Sequence, residues 1–347
     1  MGLIIFNALA LGPFHDFIED YLNQPQSFPS FNGFITTFYP RLEVETQRFP
    51  TAFFLGKYEQ VIYRANLVIL FSFLFWAGIQ IQRLRDYFER QYTVLSHLNS
   101  LQIKWFTVSF YLACIYYTYD WPANLLSLTA VQELFKPVGI VQWIPFFPNK
   151  LGIYFISITY FFLIAVCILY ERKFWASIGV ALLFLYQLGL LQGFEKIDHT
   201  YATFTYAVIL LPLFHQNNFH FRGMAIAGIR ISIGLAYLFS ALEKLMTGGL
   251  SWLSGHTIKM QLLANMEKGH WFLYEPFPQI ASLFVLLFQF FFVFSIVSGR
   301  ACFIFVVAGI LFHWSTAFLI DVGGYDSPWI FMYIFLFGTK TFDTNKK

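Results

Sequence analysis

Apolar residues run along this chain in blocks of membrane-crossing length, separated by short polar punctuation. The blocks fall at 61–80, 104–121, 153–170, 174–193, 200–215, 223–246, 278–298, 301–320 and 327–339. A spanning helix needs about 20 predominantly apolar residues, fewer where protein shields it. The pattern predicts an all-α, polytopic transmembrane helix bundle of about nine spans, with 200–215 and 327–339 the shortest. Residues 82–104 read as a charged helical connector, and 16–57, with Pro25, Pro29, Pro40 and Pro50, as a loop or small surface helices. The first fifteen residues are apolar without a basic leader, which predicts a short membrane-associated or re-entrant segment. Phe6 stands where a myristoylation signal carries Ser or Thr. The chain divides on this reading into 1–57 and a membrane domain over 58–347.

One block carries a polar pattern of its own. In GIRISIGLAYLFSALEKLMTGGLSWLSGHTIKM, residues 228–260, Arg230, Tyr237 and Lys244 recur every seven residues, with Ser240 between the last two. Seven residues is close to two helical turns, so these groups share one stripe of an otherwise apolar helix. A lysine at that depth either snorkels to the interface or is placed for work.

Composition supports the same class. The chain is 58% hydrophobic and 12% charged, with mean hydropathy +0.59, whereas a soluble domain is about 25% charged. Net charge is only +3 and no basic patch interleaves with aromatics, so nucleic acid is not an expected partner. Cys114, Cys167 and Cys302 lie in apolar runs without CxxC spacing and read as buried small hydrophobes. Lys and Arg concentrate in short connections such as ERK at 171–173 and GR at 299–300. By the positive-inside rule these face the cytoplasm, as does the C-terminus, while the long loops 122–152 and 247–277 face outward. The expected location is the inner or plasma membrane, with the lipid bilayer as the first partner.

This orientation brings ionisable residues from separate stretches to the outer side: Asp198 and His199, Lys244, and His313 with Asp321 beyond it. Each also has a plain structural reading. Lys244 sits close enough to the interface to snorkel, His313 fits a satisfied core histidine, and Asp198 suits a helix cap. Arg230 reads as structural, Asp120 as a cap or turn, and His256 as a residue at a pocket mouth. No HxxH, HExxH or carboxylate cluster predicts a metal, and no GxSxG elbow predicts a nucleophilic serine. The many Phe, Tyr and Trp side chains suit lipid and helix neighbours; a flat aromatic ligand such as a quinone would also fit such walls.

The segment YLFSALEKLMTGGLSWLSG, with its lysine followed by Leu and then Trp252-x-x-Gly255, resembles the helix and loop of the HTTM family of membrane proteins, the vitamin K-dependent gamma-glutamyl carboxylase-like group. DHTYATFTYAVILLPL resembles that family's His-bearing helix start, and FHWSTAFLIDVGGYDSPWIFMYIFLF its later His-containing helix. The resemblance runs over about 100–339 in family order. It implies lyase-like chemistry in which Lys244 is the base on a quinol-like lipid, with His199 and His313 orienting or relaying protons nearby. Asp198, Tyr237, Trp252 and His256 would then orient groups or line the pocket. Two departures bear on the substrate. Asp198 precedes His199 where the family has Asn, and no large lumenal part follows the last span before Lys347. A lipophilic small molecule is therefore expected rather than a glutamate-rich protein. The alternative is a non-catalytic membrane subunit, DoxX-like or serving immunity or export, that binds a membrane or secreted protein through its outer loops. Transport ranks behind both, since no span shows paired Gly-Pro breaks at mid-depth.

Overall fold

A computed structural model describes residues 2–39, 42–82, 85–86, 89, 100–144, 146–170, 173–194, 200–216, 218–264, 270–297 and 299–337. Among the described residues the secondary structure is entirely helical. The helices begin with α1 (Gly2–Ala10), α2 (Pro13–Asn23), α3 (Pro29–Phe38), α4 (Leu42–Thr46) and α5 (Thr51–Ile79). Then come α6 (Ser100–Thr118), α7 (Trp121–Leu128), α8 (Lys150–Leu169), α9 (Phe174–Gln192), α10 (Ala202–Phe214) and α11 (Phe219–Gly248). The chain finishes with α12 (His256–Ala264), α13 (Phe277–Phe291), α14 (Phe294–Val297), α15 (Gly299–Ile320), α16 (Pro328–Met332) and α17 (Ile334–Phe337).

Among the described residues five stretches are long and apolar enough to cross a membrane: Thr51–Gly78, Lys150–Leu169, Phe174–Gln192, Phe219–Ser254 and Ala301–Ile320. The sequence pattern predicts about nine, and the remaining apolar blocks do fold as helices but shorter or interrupted. Ala202–Phe214 and Phe277–Phe291 are apolar yet short. The 327–339 block breaks between α16 and α17 at Tyr333, whose N–H bonds to Ile330, three residues back. The α6 helix begins at Ser100, inside the polar connector, so Gln102 and Lys104 dilute its first turns. Most of that connector, residues 90–99, lies outside the described residues, as do the basic residues of 338–347.

The helix α8 shows why such segments suit lipid. Ile153, Ser157, Tyr160, Ile164 and Cys167 recur at three- and four-residue spacing and are buried. On the other side Leu151, Phe155, Ile158 and Phe162 are exposed. Both faces are apolar, the pattern of a helix packed on protein on one side and on hydrocarbon on the other.

Contacts within the chain divide it into two units, Met1–Arg90 with Glu133–Phe146, and Gln91–Gln132 with Phe147–Lys347. In the first, α5 starts ten residues before the apolar block predicted at 61–80, following Pro50 in extended conformation. Hydropathy alone could not see this start, because Lys57, Glu59 and Arg64 lie within the helix. The predicted small helices of 16–57 are α2, α3 and α4, and α2 and α3 each begin on a proline, whose fixed φ suits the first helical position. Phe17, Tyr21, Phe28 and Phe31 pack edge-to-face beneath them. The α1 helix lies along α5 through a reciprocal amide pair: Asn7 Nδ2 donates to Asn66 Oδ1 at 3.0 Å and Asn66 Nδ2 to Asn7 Oδ1 at 2.5 Å. Tyr58 donates to the Ala10 carbonyl at 2.8 Å.

The second unit is built around aromatic side chains. Phe110 stacks on Phe204 at 5.0 Å and Phe106 on Phe335 at 5.5 Å, joining α6, α10 and α17. Inside a hydrocarbon apolar burial would gain little, and close packing and internal hydrogen bonds would hold such helices together.

Replacing Asn66 by Leu is expected to lower the unfolding free energy by about 1 kcal/mol and loosen α1 from α5, measured by denaturant unfolding in detergent and by a double-mutant cycle with Asn7→Ala.

Candidate functional site

The seven-residue stripe is real in three dimensions. Arg230 and Tyr237 are both buried, each 2% exposed. The Arg230 guanidinium donates to the Leu336 carbonyl at 3.3 Å, which ties α11 to α17. Two turns on, the Tyr237 hydroxyl meets His313 Nε2 of α15 at 2.6 Å and the Tyr333 hydroxyl at 2.5 Å. The result is a three-residue polar cluster inside an apolar wall of Phe288, Phe292 and Trp329. Gly309 makes the cluster possible. A β-carbon there would run into the Tyr333 hydroxyl and ring. Only hydrogen at that position lets Tyr333 reach Tyr237.

Lys244 lies a further two turns along the same stripe, about 10 Å from Tyr237 along the helix axis. Its Nζ donates to Ser240 Oγ at 2.9 Å and to the Ser240 carbonyl at 3.4 Å. Helical side chains lean towards the N-terminus of their helix. Here that lean draws the half-buried ammonium back into the helix stack instead of out past its end. The indole of Trp252 covers it, with Nζ 5.6 Å from the ring centre.

The turn after α11 brings Trp252 to this position. A short 3-10 helix, Gly249–Ser254, opens on Gly249 and is capped by Gly255, with φ of +55° and +79°. An added β-carbon at Gly255 would sit 2.6 Å from the Pro278 carbonyl carbon and 2.7 Å from the Gln279 nitrogen. Glycine is required there twice over, for its left-handed backbone and for its close approach to the start of α13.

The structure thus brings His313 to Tyr237, and Lys244 to Trp252, on neighbouring levels of one helix. His256 is exposed at the first turn of α12. Asp198 and His199 lie outside the described residues. Asp321 ends α15 in the left-handed conformation, φ +53°, and Asp120 precedes α7 and accepts from Asn124 Nδ2 at 3.2 Å. Among the described residues no group of three or more His, Cys, Asp or Glu is gathered as for a metal ion.

Sequence reasoning missed Tyr333 and Trp329. Their i, i+4 spacing in PWIFMY puts both on one helical side, the single available signal. It also missed a second buried cluster. The Tyr111 hydroxyl donates to Ser177 Oγ at 2.8 Å and meets His215 Nε2 at 3.0 Å. A cavity of about 520 Å³ in the first unit, lined by Tyr21, Asn23, Gln24, Asn32 and Glu43 among others, includes none of the predicted site residues.

Comparisons with protein-family models, curated proteins and solved structures return no match for this chain. Among the described residues the protein is all-helical, with five helices long and apolar enough to cross a membrane.

Gly309→Ala is expected to cost about 2 kcal/mol by displacing Tyr333. Tyr237→Phe, which strips His313 and Tyr333 of their shared partner, should cost a similar amount, about 2 kcal/mol. Thermal unfolding in detergent checks both. A Gly309→Ala protein as stable as the parent would show that Tyr333 has room to move.

Proposed function

We propose that this is an integral membrane enzyme of the HTTM, carboxylase-like kind, in which Lys244 acts as general base on a lipophilic, quinol-like substrate in the outer half of the bilayer. The observation that carries the reading is the position of the ammonium group. It is drawn inward onto Ser240 and covered by Trp252, on the same helix stripe as the Tyr237–His313–Tyr333 cluster. A lysine that served only to snorkel would extend its amine towards headgroups and water.

In the proposed step, Lys244 as the neutral amine takes the proton of a ring hydroxyl. The O–H bond breaks, an N–H bond forms, and an oxyanion remains beside the new ammonium. A positioned base of this kind works best when its proton affinity is matched to the working pH. The flat indole of Trp252 suits the face of an aromatic head group. His313 and His199 are the proposed proton relays and Asp198 the group that orients His199. His256, exposed at the start of α12, is the proposed residue at the pocket mouth.

A second reading has its own observation. Leu250, Met260 and Tyr274, in the loop region 247–277, are all strongly exposed. They suit a non-catalytic membrane subunit whose outer loop docks on a partner protein.

Mass spectrometry of lipids retained by the purified protein separates the two. The enzyme reading expects a quinone-class species bound to the parent and reduced at least tenfold in Lys244→Ala. An identical lipid profile in both would sink it, and loss of a co-purifying protein on mutating Leu250 and Tyr274 would favour the subunit reading.

A further inference from the structure

Several buried polar atoms around α11 and α13 have no hydrogen-bond partner among the described residues. They are Trp252 Nε1, Gln279 Oε1, Ser282 Oγ and Gln289 Oε1. Ser282 is fully buried and Gln289 is 6% exposed. Gln279, Ser282 and Gln289 are three and seven residues apart, so they lie within one narrow strip of α13.

Packing fixes what that strip lies beside. The two helices run antiparallel: Gly234 of α11 touches Val293 and Ile296 just past the end of α13, and Tyr237 packs on Phe292 at 4.1 Å and Phe288 at 5.4 Å. At the other end, Gly255 after α11 abuts Pro278 and Gln279. Seven residues forward from Tyr237 is Lys244, and seven back from Gln289 is Ser282. Both steps are about 10 Å along their axes. Ser282 therefore sits at the level of Lys244, and Gln289 at the level of the Tyr237–His313–Tyr333 cluster. Unpaired polar atoms stand at both ends of the interval between the two groups of the candidate site.

A buried hydroxyl or amide carbonyl in an apolar bundle is costly without a partner, and lipid supplies none. Ordered water is the partner such sites take up when several polar atoms lie within its reach. We propose that the Gln279–Ser282–Gln289 strip holds a short file of water, about 10 Å long, that links Lys244 to Tyr237 and serves as a proton path between them. One transfer balances as follows. The Lys244 ammonium gives a proton to the first water, each water passes one on, and the last protonates the Tyr237 oxygen. Tyr237 then gives its own hydroxyl proton to His313 Nε2, 2.6 Å away. The net change is a neutral amine at Lys244 and an imidazolium at His313. The water file stands on its own; only its use in turnover rests on Lys244 acting as base.

The test is X-ray hydroxyl-radical footprinting of the intact protein in lipid nanodiscs, which oxidises side chains next to bound water. Tyr237 and Phe288 should be modified, whereas Phe110 and Phe204, fully buried in the aromatic core, should not. Ser282→Ala combined with Gln289→Leu should reduce Tyr237 modification at least fivefold. If Tyr237 and Phe288 in the parent protein are as unreactive as Phe110 and Phe204, the water file does not exist, and that comparison needs no variant to fold. Equal Tyr237 labelling in the parent and a folded double variant would overturn the strip as its lining. Lys244→Ala should keep the labelling, so failure of the base reading and failure of the water file are seen separately.

Discussion

The constraint that organises this molecule is that a polar group among apolar helices must be satisfied by another part of the protein. The Tyr237 hydroxyl meets that constraint by serving His313 and Tyr333 together. Three helical segments far apart in the chain, α11, α15 and the α16–α17 pair, are thereby tied at one point. Arg230 repeats the device two turns away by reaching the Leu336 carbonyl of α17. Apolar contact between helices has little directional preference in such surroundings, so these few bonds set which face of α11 points where.

The same rule gives Lys244 its meaning. Leaning back along its own helix, it finds Ser240 one turn deeper and Trp252 above it. That cover depends on backbone geometry beyond the helix, namely a short 3-10 helix closed by a left-handed Gly255 pressed against the start of α13. A lysine with a serine on one side and an indole on the other has a defined place. The proton chemistry proposed for it requires such a place.

The α13 helix shows how packing and chemistry are joined. Its Phe288 and Phe292 neighbours close the wall around Tyr237, while Ser282 and Gln289, on the same buried side, leave polar atoms open. Their presence beside the stripe is what ties the two levels of the site into one system.

Much of this was legible in the linear sequence. The apolar blocks marked the helices, because runs of that length and hydropathy favour helix. The seven-residue recurrence put Arg230, Tyr237, Ser240 and Lys244 on one stripe, because helical periodicity is a local property. Helix ends were less legible. The α5 helix begins at Thr51, ahead of Lys57 and Glu59, and the 327–339 block is interrupted at Tyr333. Long-range partnership was not legible at all. That His313 bonds to Tyr237, that Gly309 yields its space to Tyr333, and that Ser282 comes level with Lys244 depend on how helices far apart in sequence are turned and staggered. Periodicity fixes a side chain's direction on its own helix; only the packed bundle decides what it meets there.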